Sequence, residues 1–308
     1  MPPQFSVKPN ARVPFELCYE DRHLIVLNKT SSVVTQPGTK HTQDSLLNGA
    51  FYRWGKQLQN LGKKRDFGLL HRLDRGTSGL VIIALDAQSY DGVRSLFEAR
   101  EIKKSYWALT AGQPQSLSGV CDLPIAESRI KGKKRAITVA RPMRSDRHSK
   151  TQVSTERRRK SYPHPRRGTF KESTAKGHRG REHLIPSNDQ QRLRAQRAET
   201  EYTVLETHES LYGPITFIEC RPRTGRLHQI RVHMRTLGLA VIGDFDYGGN
   251  SKFNQSLKSI GRDRLTLHAG RLEFVHPITN EIVIIESPLP SWWSVLTKQL
   301  NVDQEWSI

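Results

Sequence analysis

Residues 68–85 read GLLHRLDRGTSGLVIIAL, and the other segments of the chain can be placed around this stretch. Apolar residues at 69–70 and a β-branched run at 80–85 predict two buried strands. The polar loop between them carries one carboxylate, Asp74, among three basic side chains: His71, Arg72 and Arg75. A carboxylate beside cations stays ionised at neutral pH, which makes Asp74 a candidate nucleophile or general base. The alternative is an aspartate in a surface turn between two solvated arginines.

The loop around Asp74 is predicted to turn tightly. Gly76 and Gly79 tolerate backbone angles that a β-carbon forbids. The hydroxyl groups of Thr77 and Ser78 are expected to hydrogen-bond the local backbone and to hold that turn. A turn of this kind would fix the carboxylate at the end of a rigid strand.

A second informative segment, RTGRLHQIRVHMR, occupies residues 223–235. Thr224 is the predicted N-cap of a helix. An apolar stripe at helical spacing follows, formed by Leu227, Ile230, Met234 and Leu237. Arg231 lies inside this stripe, where an arginine is costly to bury unless a carboxylate meets it. We expect Asp74 to be that partner; the alternative is that Arg231 extends its charged end to solvent.

The composition shows a large positive excess. The 308 residues include 49 Lys or Arg and 30 Asp or Glu, for a net charge of +19. This excess indicates a polyanionic partner, a nucleic acid before a membrane surface; the alternative is a basic protein without such a partner. No apolar run approaches the ~18 residues that a membrane span requires, and the first residues lack a signal-peptide pattern. We therefore expect no membrane association and a cytoplasmic location.

The cysteines and histidines do not predict a metal centre. Cys18, Cys121 and Cys220 are far apart and lack C-x-x-C spacing, which argues against a disulfide framework and suits a reducing compartment. His228 and His233 have His-x4-His spacing, but no Glu or Cys nearby completes a zinc ligand set. We expect no metal site.

The composition changes sharply at residues 141–197, which hold 17 Lys or Arg and 5 Asp or Glu. Such a segment buries too little apolar surface to offset its chain entropy and is predicted to be disordered alone. We expect a basic insertion that acts as an RNA-binding arm and orders on substrate. The alternatives are a tolerated solvated loop and a nuclear import signal. Residues 1–14 are predicted to be an extended N-terminal arm, and 15–140 with 198–300 a single domain.

Periodicity predicts alternating strands and helices around these two segments. The predicted helices lie at 43–60, at 87–100 and after Thr224, with a further helix start at Trp292. The predicted strands lie at 15–20, 24–29, 79–85, 103–109, 214–220, 265–274 and 282–285, with a short extended piece at 33–35. Two more strands, at 120–125 and 198–205, are implied by the resemblance to a known family described next.

The string HRLDRGTSGL at 71–80 resembles the catalytic loop of the RluA-type pseudouridine synthases, which isomerise uridine in ribosomal and transfer RNA. Three further segments resemble motifs of this family in the same order: Lys-x-Tyr at 104–106, TGRLHQIRVH at 224–233 and GDFDYG at 243–248. The resemblance covers about 13–140 and 198–296. It implies an α+β fold with a large, bent, mainly antiparallel mixed sheet, flanking helices and a central RNA-binding cleft.

The resemblance also implies roles for individual residues. Asp74 matches the catalytic aspartate and Arg231 the arginine that pairs with it. Tyr106 matches the tyrosine that stacks on the flipped target base, although a half-buried strand tyrosine with no such role is the alternative. Arg72 matches the arginine that enters the RNA to expel the target nucleotide. Further candidate substrate-binding residues are His71, Arg75, Arg226, His228 and, as an apolar residue packing on the base, Ile285 or Leu289.

The expected protein is thus a monomeric RNA pseudouridine synthase that needs no cofactor or metal. Its expected partner is ribosomal or transfer RNA. The main alternative is a catalytically silent RNA-binding protein on the same fold. A nucleic-acid deaminase is disfavoured, because the sequence lacks the H-x-E and P-C-x-x-C ligand sets of that chemistry.

Overall fold

The longest apolar run of the sequence forms an interior strand of a ten-stranded mixed sheet in the computed structural model. The structure describes residues 5–130, 133–139, 194–249, 251–259 and 264–302. Every residue of this strand, β3 (Ser78–Ala84), is buried. It pairs in antiparallel register with β2 (Leu24–Lys29) and in parallel with β11 (Leu267–Val275). Because both faces of the sheet are covered here, the strand does not alternate between apolar and polar residues.

The strand order of the sheet is β1-β2-β3-β11-β4-β9-β8-β5, with β10 added to β4 and β12 added to β11. All of these pairings except β3–β11 are antiparallel. A separate hairpin consists of β6 (Ile125–Ile130) and β7 (Lys133–Thr138). The other strands are β1 (Phe15–Glu20), β4 (Lys103–Ala111), β5 (Ser118–Cys121), β8 (Thr200–Ser210), β9 (Gly213–Pro222), β10 (Ala240–Val241) and β12 (Ile282–Glu286).

Five α-helices lie in the described ranges, with a short 3-10 helix at Lys63–Gly68, and the longest buries an apolar face against the first strands. The helices are α1 (Leu46–Leu61), α2 (Ala87–Ala99), α3 (Gln229–Thr236), α4 (Lys252–Ser259) and α5 (Trp292–Gln299). Ser45 caps α1 by accepting a hydrogen bond from the Asn48 N–H, and the Asn48 side chain accepts in return from the Ser45 N–H. This reciprocal cap accounts for the helix starting after Ser45.

The described part of the N-terminal arm packs on α1. The Phe5 ring lies 5.8 Å from the Phe51 ring in an edge-to-face contact. Gly55 permits this approach, because a β-carbon there would lie 2.9 Å from the Phe5 ring. Val7 and Val13 are buried. Residues 5–13 are therefore docked on the domain.

Gly79 acts within the sheet and not in a turn. Its φ is +116°, and a β-carbon would lie 2.2 Å from the Ala269 carbonyl oxygen. Glycine is thus required for β3 and β11 to pair closely. The Ser78 hydroxyl bonds across the sheet to His268 Nδ1 at 2.9 Å. The prediction that it bonds the local backbone was wrong, because Ser78 already belongs to β3.

Other local predictions also need correction. Residues 69–70 form no strand; Leu69 makes an isolated bridge to Ile83. The short extended piece predicted at 33–35 makes one isolated bridge, between Val34 and Ser45. In both places the backbone makes a single bridge and forms no strand.

The predicted α+β class with a large, mainly antiparallel mixed sheet is confirmed. The described residues before and after positions 141–193 belong to one compact unit. Of the predicted insertion at 141–197, residues 141–193 lie outside the described part of the chain. None of the helices in the described residues has the length and apolar character needed to cross a membrane.

Candidate active site

A cavity of about 1030 Å³ opens beside Asp74. Its walls come from the loop that precedes β3, the start of β4, the loop that precedes α3 and the β6–β7 hairpin. Ten Lys or Arg side chains line it against four Asp or Glu. Such an excess of positive charge in a concave site favours a polyanionic ligand.

The Asp74 loop is held by buried polar contacts. Thr35 Oγ1 accepts from the Leu73 N–H at 3.1 Å and donates to the Leu73 carbonyl at 2.8 Å. The Thr77 N–H donates to the Asp74 carbonyl at 3.1 Å. Because Thr35 is only 3% exposed, water does not compete for these bonds. The Asp74 backbone is thus fixed, while its side chain, 27% exposed, reaches the cavity.

Arg231 contacts Asp74 across 157 positions of sequence, with Nη1 donating to Asp74 Oδ2 at 3.1 Å. The predicted contact is confirmed, and Arg231 does not extend to solvent, since its side chain is 9% exposed. The structure adds two carboxylates: Nε and Nη2 donate to Asp244 at 2.7 and 2.9 Å, and Nη2 to Asp246 at 3.2 Å. Burial would lower the pKa of Arg231, but Asp244 and Asp74 outweigh it and raise that pKa. The guanidinium therefore stays charged.

The turn after β10 shapes this cluster. The Asp244 carboxylate, 1% exposed, accepts the backbone N–H groups of Asp246 and Tyr247 at 3.1 and 3.0 Å. Arg231 lies over the Tyr247 ring, with its Cζ 5.0 Å from the centroid. Arg135 on β7 donates to the Asp246 carboxylate at 2.7 Å. The β6–β7 hairpin is thereby connected through Asp246 and Arg231 to Asp74.

His228 forms a second connection from this turn to Asp74. Its Nε2 lies 3.8 Å from Asp74 Oδ2, and its Nδ1 lies 2.8 Å from the Tyr247 hydroxyl. That hydroxyl accepts the Ala136 N–H at 2.8 Å, so its own proton is available to Nδ1, which leaves Nε2 protonated toward Asp74. Burial lowers the pKa of His228, with Asp74 opposing the shift. A neutral imidazole with Nε2–H facing the carboxylate fits these contacts.

Tyr106 lies on β4 and lines the same cavity. It packs between two core clusters, one with Ala269 and one with Cys220. Burial raises the pKa of its phenol, and the charge of Asp74 raises it further. The ring is therefore neutral at ordinary pH and available for stacking.

His71 lines the cavity, but its Nε2 accepts the Ile82 N–H at 3.0 Å. Burial, with a smaller contribution from the charge of Lys104, lowers the pKa of His71 to about 3. Its ring lies 5.1 Å from the Phe97 ring. Nε2 of this neutral histidine is occupied by a strand amide. Only the other ring nitrogen therefore remains for a contact with substrate, whereas the sequence suggested two.

Of the three arginines predicted to bind substrate, two line the cavity and one does not. Arg72 is exposed and lines the cavity. Arg226 also lines it, and its Nε donates to the Arg197 carbonyl at 3.1 Å. Arg75 is not among the lining residues; its Nε donates to the Ser32 carbonyl at 3.0 Å. The structure therefore brings Arg72 and Arg226 to the cavity and turns Arg75 away.

The two apolar candidates are not brought to the cavity. Ile285 is 5% exposed and belongs to the core cluster with Leu24 and Leu80. Leu289 packs against a different cluster that contains Trp293. Because both side chains already face the protein interior, neither is available to pack on a base in this structure.

The loop before α3 differs from the predicted capped helix. The helix begins at Gln229, and the residue before it, His228, has a φ of +51°. Thr224 is not the N-cap; its hydroxyl donates to Gln229 Oε1 at 2.7 Å and accepts the Glu199 N–H at 2.9 Å. Gln229 Nε2 donates to the Thr200 hydroxyl at 2.9 Å. This buried amide fixes the loop against β8.

Several site residues were missed by sequence reasoning. The Gly-Asp-x-x-Tyr-Gly resemblance pointed to Asp244 and Tyr247 as residues beside the site, without their contacts. Thr35 and Arg135 carried no signal beyond an extended piece and a basic turn. No group of three or more His, Cys, Asp or Glu side chains arranged to hold a metal ion occurs in the described ranges.

Comparison with known proteins agrees with this geometry. A family described as RNA pseudouridylate synthase matches residues 23–236. Ribosomal large subunit pseudouridine synthase D of Zymomonas mobilis is 29% identical over 291 residues, covering 94% of this chain and 74% of the relative. RNA pseudouridine synthase 2, chloroplastic, of Arabidopsis thaliana is 26% identical, covering 91% of this chain and 63% of the relative.

A solved structure shows the same fold. Human RNA Pseudouridylate Synthase Domain Containing 4 superposes with a TM-score of 0.56 at 22% sequence identity, covering 92% of each chain. The family match extends over the Asp74 loop, β4 and all of α3. The chain therefore belongs to the RluA-type RNA pseudouridine synthases, the isomerases that convert uridine in RNA to pseudouridine.

Proposed function

We propose that this chain isomerises specific uridines of ribosomal or transfer RNA in the cavity beside Asp74, with Asp74 as the catalytic carboxylate. The observation that carries the proposal is the 3.1 Å contact between Arg231 Nη1 and Asp74 Oδ2 at a strongly basic cavity. A buried, permanently charged arginine orients the carboxylate, as a nucleophile or base requires. The names of the relatives support ribosomal RNA as a substrate.

The residues around Asp74 suit a flipped nucleotide. A uridine inside an RNA helix must leave its stack before an enzyme can reach the glycosidic bond. Arg72, exposed at the cavity, is placed to occupy the vacated position, and Tyr106 offers its ring to the uracil. The N1–C1′ bond then breaks with the help of Asp74, the uracil turns, and a C5–C1′ bond forms. The C5 proton leaves and N1 takes up a proton, so the product is an isomer of the substrate.

The same proposal covers the organisation of the chain. Residues 15–140 and 198–300 would act as one catalytic domain, with 141–197 as a basic RNA-binding arm. The protein would act as a monomer in the cytoplasm. The three cysteines support a reducing compartment, because all are free and burial raises the pKa of each thiol.

Purified protein and RNA transcripts labelled with tritium at uridine C5 test the activity. Isomerisation releases the C5 hydrogen to water, so we expect tritium release from ribosomal or transfer RNA transcripts. Pseudouridine mapping of cellular RNA with and without the gene then identifies the site. RNA binding without tritium release from any transcript would instead support the catalytically silent alternative.

A further inference from the structure

The cations that line the cavity fall into two classes. Six form ion pairs with carboxylates: Lys103, Lys134, Arg221, Arg223, Arg231 and Arg271. Within the described ranges, the other four cations of the cavity wall, Arg72, Arg100, Lys104 and Arg226, have no carboxylate partner. This wall keeps positive charge that the protein does not neutralise.

Lys104 is the most enclosed of these four cations. It is half-buried on β4, and its Nζ lies over the Phe97 ring, 5.6 Å from the centroid. Arg72, Arg100 and Arg226, in contrast, are exposed. Burial lowers the pKa of Lys104, and among the described residues no acidic group opposes that shift. An ammonium in such a position is stabilised by an incoming anion.

The position of Lys104 on its strand relates it to the target base. Lys104 and Tyr106 are two residues apart on β4, so their side chains lie on the same face. His71 contacts the same Phe97 ring, but it is neutral and therefore does not compete with Lys104 for an anion. An anionic group at Lys104 would therefore lie next to a base at Tyr106. A backbone phosphate and the base of its own nucleotide are neighbours in the same way.

We propose that Lys104 binds a backbone phosphate of the RNA next to the target uridine. The inference rests on the proposed function of the cavity, and it adds a phosphate subsite to it. A lysine ammonium is a compact point charge suited to a single phosphate oxygen, and Arg72 and Arg100 contribute positive potential around it. Binding here would hold the nucleotide backbone while the base turns at Tyr106.

Lys103 provides a matched control on the same strand. It also lines the cavity, but its Nζ donates to Glu273 at 2.7 Å and its side chain is 71% exposed. Glu273 keeps a second partner, Arg271 at 2.9 Å, when Lys103 is removed. Substituting Lys103 therefore removes a charge of the same kind from a place where it is already neutralised.

The test measures the affinity of a short single-stranded oligouridine as a function of salt for wild type, Lys104→Met, Lys104→Arg and Lys103→Met. Each phosphate contact on a single strand contributes about 0.7 to the slope of log K against log salt. We expect Lys104→Met to weaken binding several-fold and to reduce the slope by about 0.7. Lys104→Arg and Lys103→Met should keep the wild-type slope.

The outcomes separate the subsite from the function. A wild-type slope in Lys104→Met overturns the phosphate subsite, as does a weaker affinity with no change in slope, because that result indicates a base contact. Circular dichroism of each variant checks that it is folded, and Lys104→Arg tests the charge if Lys104→Met does not fold. Tritium release by the wild type is measured separately, so a failure of the proposed function is seen without reference to the slope.

Discussion

Arg231 and Lys29 are two buried cations close to the same carboxylate, Asp74, but their partners differ in kind. Arg231 donates to three carboxylates, and their charges raise its pKa although burial opposes them. Lys29 is fully buried and donates to backbone carbonyls: Val33 at 2.7 Å, Thr30 at 3.0 Å and Arg75 at 3.4 Å. Burial lowers the pKa of Lys29 to about 7, with Asp74 opposing.

The difference separates two tasks at one site. Carboxylates neutralise the buried guanidinium, so Arg231 remains charged at every ordinary pH and can orient Asp74. Carbonyl oxygens orient the Lys29 ammonium and tie the segment after β2 to the Asp74 loop, but they supply no net charge. We infer that Arg231 serves the chemistry of Asp74, whereas Lys29 serves the backbone that carries it.

Removing Arg231 should have the largest effect. In Arg231→Gln, the buried Asp244 loses its cationic partner, which should lower the free energy of unfolding by about 3–5 kcal/mol. Loss of the preorganised charge at Asp74 should also lower kcat by about 10²–10³-fold. Tritium release and urea denaturation measure the two effects. Arg235→Gln, an exposed position on the same helix, is the control and should change neither quantity.

A pair of aspartate variants tests how much each carboxylate partner of Arg231 stabilises the protein. Asp244→Asn removes a two-bond, 1% exposed partner of Arg231 and should lower the free energy of unfolding by about 1.5–3 kcal/mol. Asp246→Asn weakens one bond to Arg231 and one to Arg135 at a side chain that is 37% exposed, and it should cost about 1 kcal/mol or less. Equal losses in thermal or urea unfolding would show that burial of the carboxylate does not set the strength of this cluster.

The Lys29 site should appear as a pH dependence of stability. The pKa of Lys29 is about 7 in the folded state and 10.5 in the unfolded chain. Between about pH 7 and pH 10.5 the unfolded chain binds more protons than the folded protein, so the free energy of unfolding rises with pH. Below this window Lys29 is protonated in both states, and the dependence disappears. Lys29→Met should remove that rise between about pH 7 and pH 9, although it leaves the carbonyls of the loop without their donor.

Urea denaturation at a series of pH values measures this change against wild type. Lys56→Met, an exposed lysine on α1, is the matched control and should keep the wild-type slope. If Lys29→Met also keeps it, the ammonium is compensated in the folded protein and the contrast with Arg231 fails.

Most of the elements and the central contact could be predicted from the sequence for physical reasons. The β3 run is too apolar to lie anywhere except inside a sheet, and α1 has its apolar positions at helical spacing. Arg231 lies in an apolar stripe, so a carboxylate partner was expected, and Asp74 was the candidate that the resemblance also implied. The roles of Asp74, Tyr106 and Arg72 stay predictions, because the fold places these groups without testing what they do.

The errors have a common cause. Whether Thr224 caps a helix, or Ser78 bonds its own turn, depends on partners distant in sequence: Gln229 and Glu199 for one, His268 for the other. Local propensity does not encode such partners. In the same way, an apolar residue near a strand end can face the cavity or the core, and Ile285, the one buried residue of β12, packs in the core cluster with Leu24 and Leu80.

Tritium release by Asp74→Asn under single-turnover conditions, with enzyme in excess over labelled RNA, tests the account most directly. The substitution keeps the size of the side chain and an oxygen for Arg231, so folding and RNA affinity should remain near those of wild type. Asp91→Asn, which alters an exposed ion pair with Arg65, is the control for a lost carboxylate. We expect no tritium release from Asp74→Asn at any enzyme concentration; release at a rate near that of wild type would contradict the role assigned to this carboxylate.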